Sequence, residues 1–151
     1  MEEAMAAAER TEIVEVPLKK MYAAVVDYSS YPQFVTGMKS AKLVGESGAA
    51  KQVAFDLEMM KRVQYTVNLT DRLDESAGTA EVAWTLASSE FFKLNNGKWT
   101  LKAVDTQRTE VTYSLELEVT FPVPGFMLKG LVAKGLPAAI REFAERARTI
   151  A

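Results

Sequence analysis

Alternation of apolar and polar residues with a period of two runs through residues 40–121 and constrains the fold more than any other feature. Successive side chains of a β-strand point to opposite faces of its sheet, so this pattern predicts half-buried strands. The clearest run closes the segment, where every second residue is apolar: Val111, Tyr113, Leu115, Leu117, Val119 and Phe121. Each predicted strand has one apolar and one polar face, which favours an antiparallel sheet that is wetted on one side.

Turn signals divide this segment into six predicted strands. The polar stretch 71–78 ends in Ser-Ala-Gly and is typical of a connection. Asn95, Asn96 and Gly97 tolerate positive φ, which predicts a hairpin turn at these three residues. A further strand is predicted before the segment, over residues 11–16.

Helical spacing flanks the predicted strands on both sides. Pro17 suits a helix N-terminus, and a second short helix is predicted near Pro32. After the strands, apolar residues recur every three or four positions through residues 126–150: Leu128, Leu131, Val132, Leu136, Ile140, Phe143 and Ala147. The predicted class is therefore α+β: about seven antiparallel strands, two short helices after the first strand and a long C-terminal helix. We expect one domain over residues 1–151, with residues 1–8 disordered.

The 151-residue chain contains no cysteine and no histidine. It therefore lacks thiolate nucleophiles, the commonest general base and the commonest transition-metal ligand. From this we predict no metal, no cofactor and no catalytic residue, with any chemistry left to carboxylates, Lys, Arg, Tyr, Ser or Thr. A net charge of −2 argues against a nucleic-acid partner, because counterion release needs a concentrated basic surface.

Neither a transmembrane helix nor a secretory leader is predicted. No stretch approaches the ~20 apolar residues of a membrane span, and the first ten residues are acidic rather than basic. A cytoplasmic location is therefore expected.

The order of these elements and three short motifs resemble the polyketide cyclase/dehydrase and lipid-transport families, within the START-like (SRPBCC) superfamily. The motifs are Tyr31-Pro32-Gln33-Phe34, Asn96-Gly97-Lys98-Trp99 and Phe143-Ala144-Glu145-Arg146-Ala147. The resemblance as a whole covers about residues 9–150, nearly the whole chain. In style the chain is most similar to the coenzyme-Q-binding and ribosome-association-toxin branches.

The resemblance implies a helix-grip fold, in which a curved antiparallel sheet wraps around the C-terminal helix and encloses a cavity. The inward faces of the strands and helix would then line a ligand site without any ionised group. The predicted lining is Phe55, Leu57, Tyr65, Val67, Val82, Trp84, Leu86, Trp99, Leu101, Tyr113, Leu115, Leu117, Leu128, Leu131 and Val132. The alternative is that these side chains fill a solid core.

Three residues are candidates for polar contacts with a ligand. Tyr65 and Tyr113 lie on the inward face, where they could donate a hydrogen bond or simply complete the core. Arg62 follows a predicted turn and could reach the cavity mouth or decorate the rim. The carboxylate pair Asp56 and Glu58 alternates with apolar neighbours, so a solvated sheet face is expected for both.

The leading hypothesis is binding or transfer of a hydrophobic small molecule: a lipid, an isoprenoid quinone or a polyketide-like compound. The first alternative is an enzyme, a polyketide cyclase or dehydratase. The second alternative is a regulatory protein that contacts the ribosome through a local basic patch around Lys39, Lys42, Lys51, Lys61 and Arg62. The apolar segment 121–128 at the expected cavity entrance adds a transient membrane contact to the expected partners.

Gly130, Gly135 and Pro137 weaken the C-terminal helix within two turns. One interpretation is that residues 121–136 form a moving lid while residues 138–148 stay packed on the sheet. The other is that the two glycines let the helix approach Trp84 or Trp99 closely.

Overall fold

Seven antiparallel strands form one sheet, as the alternation predicts. The computed structural model describes residues 5–48, 50–58 and 61–150. The strands are β1 (Met5–Val14), β2 (Met38–Ser47), β3 (Ala50–Glu58), β4 (Arg62–Asp74), β5 (Thr79–Ser89), β6 (Phe92–Ala103) and β7 (Thr109–Val119). Their order across the sheet is β1-β7-β6-β5-β4-β3-β2. Consecutive strands from β2 to β7 are therefore neighbours, and β1 pairs with β7.

Three helical elements complete the fold. α1 (Leu18–Val26) and a 3₁₀ helix (Tyr28–Gln33) follow β1, and α2 (Gly125–Arg148) follows β7. Pro17 precedes α1, and its carbonyl accepts the N–H of Met21 to close the first helical turn. The described helices include none that is long and apolar enough to cross a bilayer. The two short helices and the long C-terminal helix confirm the predicted helix-grip architecture.

α2 packs one face against the sheet and α1. Its buried residues recur at helical spacing: Leu128, Val132, Leu136, Ile140, Phe143, Ala144 and Ala147. The helix extends through Pro137. Its neighbours are β1, β7 and α1, so it lies across the sheet on the side that carries the apolar residues of β7.

The buried side chains form two clusters at opposite ends of α2. The first joins α1 and the C-terminal half of α2 to one end of the sheet and includes Val82, Trp99, Leu101 and Phe143. The second joins the N-terminal half of α2 to the other end and includes Val63, Phe92, Leu117, Leu128 and Val132. Half-buried residues such as Leu57, Tyr65 and Tyr113 contact both clusters and lie between them.

The predicted hairpin turn at Asn95–Gly97 is wrong, because these residues lie inside β6. Gly97 pairs with Trp84 of β5 and does not adopt positive φ. A Cβ built at Gly97 would lie only 2.1 Å from Cζ2 of Trp84, so the glycine is needed for close approach of the indole. By contrast, a Cβ at Gly130 or Gly135 would meet nothing within 4 Å, so these two glycines do not serve helix packing.

The first strand begins earlier than predicted. β1 starts at Met5 and its register with β7 is unbroken to Val14. Residues 5–8, which were expected to be disordered, therefore belong to the sheet, while residues 1–4 lie outside the described residues. Three alanines precede Glu9 there, and Ala6 is buried against the second cluster. Small side chains fit beneath α2, although they give a weak alternation signal.

Candidate functional site

A cavity of about 540 Å³ lies between the sheet and α2, within the range of small-molecule pockets. β3 to β7 form its floor, α2 forms its roof, and the segment after the 3₁₀ helix forms one side. The sheet residues that line it are Phe55, Leu57, Glu58, Tyr65, Val67, Leu69, Trp84, Phe92, Asn95, Trp99, Tyr113, Leu115 and Leu117. The helices, the segment before β2 and the first residue of β2 contribute Tyr31, Val35, Thr36, Met38, Leu131, Val132, Lys134, Gly135, Leu136, Ala138, Ala139, Arg141, Glu142 and Phe143.

Most of the predicted lining residues lie in this wall. They are Phe55, Leu57, Tyr65, Val67, Trp84, Trp99, Tyr113, Leu115, Leu117, Leu131 and Val132. At these positions the inward side chains border open space, which favours a cavity over the alternative of a solid core.

Four predicted lining residues do not border the cavity: Val82, Leu86, Leu101 and Leu128. Val82 and Leu101 are fully buried in the first cluster, and Leu128 is fully buried in the second. Leu86 packs at the edge of the second cluster. All four predictions are wrong because alternation and helical spacing identify the inward face of a strand or helix but not where along that face a cavity opens.

Arg62 lies outside the cavity wall, so the prediction that it reaches the mouth is wrong. Its Nε and Nη2 atoms donate hydrogen bonds to the two carboxylate oxygens of Asp56 at 2.8 and 2.7 Å. These bonds hold the pKa of Asp56 below its ordinary value. The guanidinium of Arg62 is engaged in this ion pair and covers Asp56. Asp56 is buried, whereas a solvated side chain was expected. Its neighbour Glu58 lies at the cavity rim.

Apart from Leu131 and Val132, the residues that close the cavity from the helical side were not among the predicted lining. Tyr31 and Phe143 pack edge to face, with ring centroids 5.1 Å apart. Both belong to motifs that were assigned to the family resemblance, and Phe143 also belongs to the apolar stripe of the helix. Asn95 was missed because it was assigned to a turn. No local signal marks Thr36 or Glu142, which meet across 106 positions of sequence.

Aromatic rings form much of the inner wall. Trp99 and Tyr113 stack at 4.2 Å with their planes 4° apart, and Trp84 lies 6.0 Å from Tyr113. On the other side Tyr65 lies between Phe55 and Phe92, at 5.4 and 5.2 Å. A ligand with a flat or conjugated body would make the most favourable stacking contacts with these rings.

The polar groups inside the cavity are uncharged donors. The hydroxyls of Tyr65 and Tyr113 make no hydrogen bond to any described residue, and neither is sealed away from open space. Burial raises the pKa of both hydroxyls, so they remain protonated at neutral pH. Asn95 is only 5% exposed, and its Oδ1 accepts a hydrogen bond from Nε1 of Trp84 at 3.1 Å.

The charged groups among the described lining residues are Glu58, Lys134, Arg141 and Glu142, which are exposed or partly exposed. Thr36 closes one side, because its hydroxyl and its backbone N–H both donate to the carboxylate of Glu142. Glu58, Lys134 and Arg141 complete the exposed part of the lining. Among the described residues, no group of three or more carboxylates could hold a metal ion. The cavity can therefore enclose an apolar body and bind an oxygen atom, with no buried charge to move protons.

The chain belongs to the family of polyketide cyclase / dehydrase and lipid transport proteins, whose sequence model matches residues 14–144. Its structure is similar to a START superfamily protein from Mycobacterium smegmatis, with a TM-score of 0.82 at 17% identity over 96% of this chain and 99% of that chain. It is also similar to the Zhui aromatase/cyclase from Streptomyces sp. R1128, with a TM-score of 0.80 at 14% identity over 95% of this chain and 94% of that chain.

A third similar structure is a STAR-related lipid transfer protein from Xanthomonas axonopodis, with a TM-score of 0.79 at 12% identity over 95% of this chain and 86% of that chain. No curated protein sequence matches the chain significantly. These comparisons confirm the predicted superfamily and its fold. The narrower resemblance to the coenzyme-Q-binding branch stays a prediction.

Proposed function

We propose that this protein binds and carries a hydrophobic small molecule in the cavity beneath α2. The observation that carries the proposal is an aromatic cavity of about 540 Å³ whose interior is free of ionised side chains. Burying about 400 Å² of ligand at ~25 cal/mol per Å² supplies roughly 10 kcal/mol before association costs. After those costs, binding in the micromolar range needs no covalent step.

The two tryptophans offer a direct test, since the chain has only Trp84 and Trp99 and both line the cavity. Titration with lipids, isoprenoid quinones and aromatic ketones is expected to change their fluorescence for at least one class. Native mass spectrometry of the purified protein is expected to show a bound molecule that solvent extraction removes. If neither measurement detects a ligand, the proposal is overturned.

A cavity-filling variant ties binding to this space. Ala139 lines the cavity, so Ala139→Phe is expected to weaken binding at least tenfold. Ala133→Phe is the matched control, because Ala133 lies on the exposed face of the same helix and does not border the cavity. Equal effects of the two variants would mean that binding occurs elsewhere.

The second candidate function is an enzyme of the cyclase or dehydratase type. The observation that favours it is the pair of enclosed tyrosine hydroxyls, which could polarise a substrate carbonyl while the cavity shape folds a flexible chain. The aromatase/cyclase among the similar structures is consistent with this use of the fold. Tyr65→Phe and Tyr113→Phe would then slow turnover of a polyketide-like substrate without unfolding the protein. Identical product profiles with and without the protein would exclude this function.

A membrane surface is the proposed partner for exchange of the ligand. At the start of α2, Phe126 is 77% exposed and Met127 is 47% exposed, and α2 continues to Leu131 at the cavity wall. No acidic residue occurs in residues 119–141, which carry Lys129, Lys134 and Arg141. This chemistry suits anionic lipid headgroups. Phe126→Ser is expected to weaken sedimentation with phosphatidylglycerol vesicles, and unchanged sedimentation would contradict the contact.

Ribosome contact and a cytoplasmic location remain predictions with less support. Three residues of the expected basic patch are engaged in ion pairs: Lys39 with Glu58, Lys51 with Asp71, and Arg62 with Asp56. Pairing reduces the positive potential that docking on RNA needs. Co-sedimentation with ribosomes at physiological salt tests the contact, and fractionation of cells tests the location.

A further inference from the structure

Asn95 is a buried amide in the cavity wall whose orientation is set by its neighbour Trp84. The indole Nε1 group can only donate a hydrogen bond, so the atom it meets at 3.1 Å must be the amide oxygen of Asn95. The amide nitrogen, Nδ2, consequently points away from the indole. It hydrogen-bonds to no described residue, and it is not sealed off from open space.

Because Asn95 borders the cavity, we assign the open space beside this nitrogen to the cavity. Asn95 shares the inward face of the sheet with Gly97 and Trp99, and its partner across the sheet is Leu117, which also lines the cavity. Gly97 leaves room for Trp84 beside Asn95, because any side chain at this position would collide with the indole. Gly97, Trp84 and Asn95 therefore form a unit that holds a hydrogen-bond donor toward the ligand space.

The other polar groups in the cavity interior are donors as well. The hydroxyls of Tyr65 and Tyr113 are enclosed and without partners among the described residues. A buried donor that remains without a partner costs about 1–3 kcal/mol, so a ligand that brings acceptor oxygens is favoured over one that does not. The rings of Trp84, Trp99 and Tyr113 lie beside these donors and favour a conjugated body.

We propose that Asn95 is a specificity-determining residue, which donates a hydrogen bond from Nδ2 to a carbonyl oxygen of a flat, uncharged, conjugated ligand. This inference rests on the proposed binding function and names the chemical class of its ligand. Trp84 is a positioning residue that fixes the direction of the amide. A saturated acyl chain would leave the donors unpaired and is disfavoured.

The test compares two probes of closely similar shape, 2-methyl-1,4-naphthoquinone and 2-methylnaphthalene, which differ by two carbonyl oxygens. Calorimetric titration of the wild-type protein is expected to show about tenfold tighter binding of the quinone, equivalent to about 1.4 kcal/mol. Asn95→Leu is expected to lower this preference at least fivefold and to leave the affinity for the hydrocarbon within twofold. Asn96→Leu makes the same change on the adjacent residue, which lies outside the cavity wall, and is expected to keep the preference.

A second variant guards against misfolding, because Asn95→Leu leaves the indole N–H of Trp84 without its acceptor. The double variant Asn95→Leu/Trp84→Phe removes donor and acceptor together, and it is also expected to lose the quinone preference. The inference is overturned if both variants prefer the quinone over the hydrocarbon as strongly as the wild type does. It is also overturned if the wild type binds the two probes with equal affinity. In both cases the proposed function stands. If wild type binds neither probe nor any extracted molecule, the proposed function fails with it.

Discussion

The two halves of α2 meet the same sheet in different ways. In the C-terminal half, the ring of Phe143 lies 4.8 Å from Trp99, 4.9 Å from Phe34 and 5.1 Å from Tyr31, where closely packed rings close one end of the cavity. In the N-terminal half, Val132 and Leu136 are buried, while Leu131 is 37% exposed beside the cavity. The cavity therefore runs beneath both halves of the helix, with its closely packed end at Phe143 and its partly exposed side at Leu131. Because the packing is closer around Phe143, we call the C-terminal half the filled half and the N-terminal half the hollow half.

This difference predicts unequal effects of substitutions on stability. Aromatic rings and apolar side chains of the filled half are buried on folding and stabilise the native state. Around Leu131 the helix forgoes some packing energy, because part of its surface stays open beside the ligand space. Only the Thr36–Glu142 contact ties the rim of the cavity to α2 through hydrogen bonds, among the described residues. Substitutions around Phe143 should consequently lower stability more than substitutions around Leu131.

The largest expected effect is on stability in the filled half. Phe143→Ala removes a buried ring that contacts three aromatic neighbours and is expected to lower the free energy of unfolding by about 3–5 kcal/mol. Leu131→Ala, in the hollow half, is expected to cost about 1 kcal/mol or less, because its side chain is partly solvated already. Urea denaturation measures both values. Similar losses would show that the two halves are equally packed.

A smaller effect on stability is expected in the cavity floor, where the indole of Trp84 lies close to the backbone of Gly97. Gly97→Ala would place a Cβ against the indole of Trp84, so the ring must move. We expect a loss of about 1–3 kcal/mol together with a changed tryptophan emission spectrum. Gly125→Ala is the matched control, because a Cβ there meets nothing within 4 Å. An unchanged spectrum for Gly97→Ala would mean that the indole is not held by this contact.

The cavity tyrosines should make stability depend on alkaline pH. Burial raises the pKa of Tyr65 and Tyr113 in the folded state, whereas unfolded tyrosine ionises near pH 10. Above about pH 10 the unfolded chain therefore binds fewer protons than the folded one, and the free energy of unfolding falls as pH rises. Below that pH the contribution is constant. Tyr113→Phe is expected to reduce the slope of the free energy of unfolding against pH by up to about 1.4 kcal/mol per pH unit. If Tyr65→Phe and Tyr113→Phe both keep the wild-type slope, the burial of these hydroxyls is contradicted.

The smallest expected effect tests whether the hollow half is a lid. Gly130→Ala and Gly135→Ala introduce no contact, so each is expected to stabilise the helix by up to about 1 kcal/mol. If residues 121–136 open to admit ligand, these variants should also slow ligand exchange in stopped-flow fluorescence.

Amide hydrogen exchange gives an independent check on the lid. In the wild-type protein it is expected to be faster in residues 121–136 than in residues 138–148, and ligand should reduce the difference. Equal protection of the two stretches, with and without ligand, would remove the lid.

The period-two pattern predicted the strands, their antiparallel order and the inward position of residues such as Phe55, Tyr65 and Tyr113. Helical spacing likewise predicted the buried stripe of α2, and the motifs predicted the superfamily. These features are local or repeat along the chain, so the burial that selects them leaves a periodic trace in the sequence.

The tertiary structure alone decided where the inward face is filled and where it is hollow. Leu101 and Trp99 point to the same side of β6, yet only Trp99 borders the cavity. The turn propensity of Asn95, Asn96 and Gly97 was overridden by the indole of Trp84, which needs a glycine beneath it and an amide oxygen beside it. Such features depend on distances between residues far apart in sequence, and a one-dimensional pattern carries no measure of those distances.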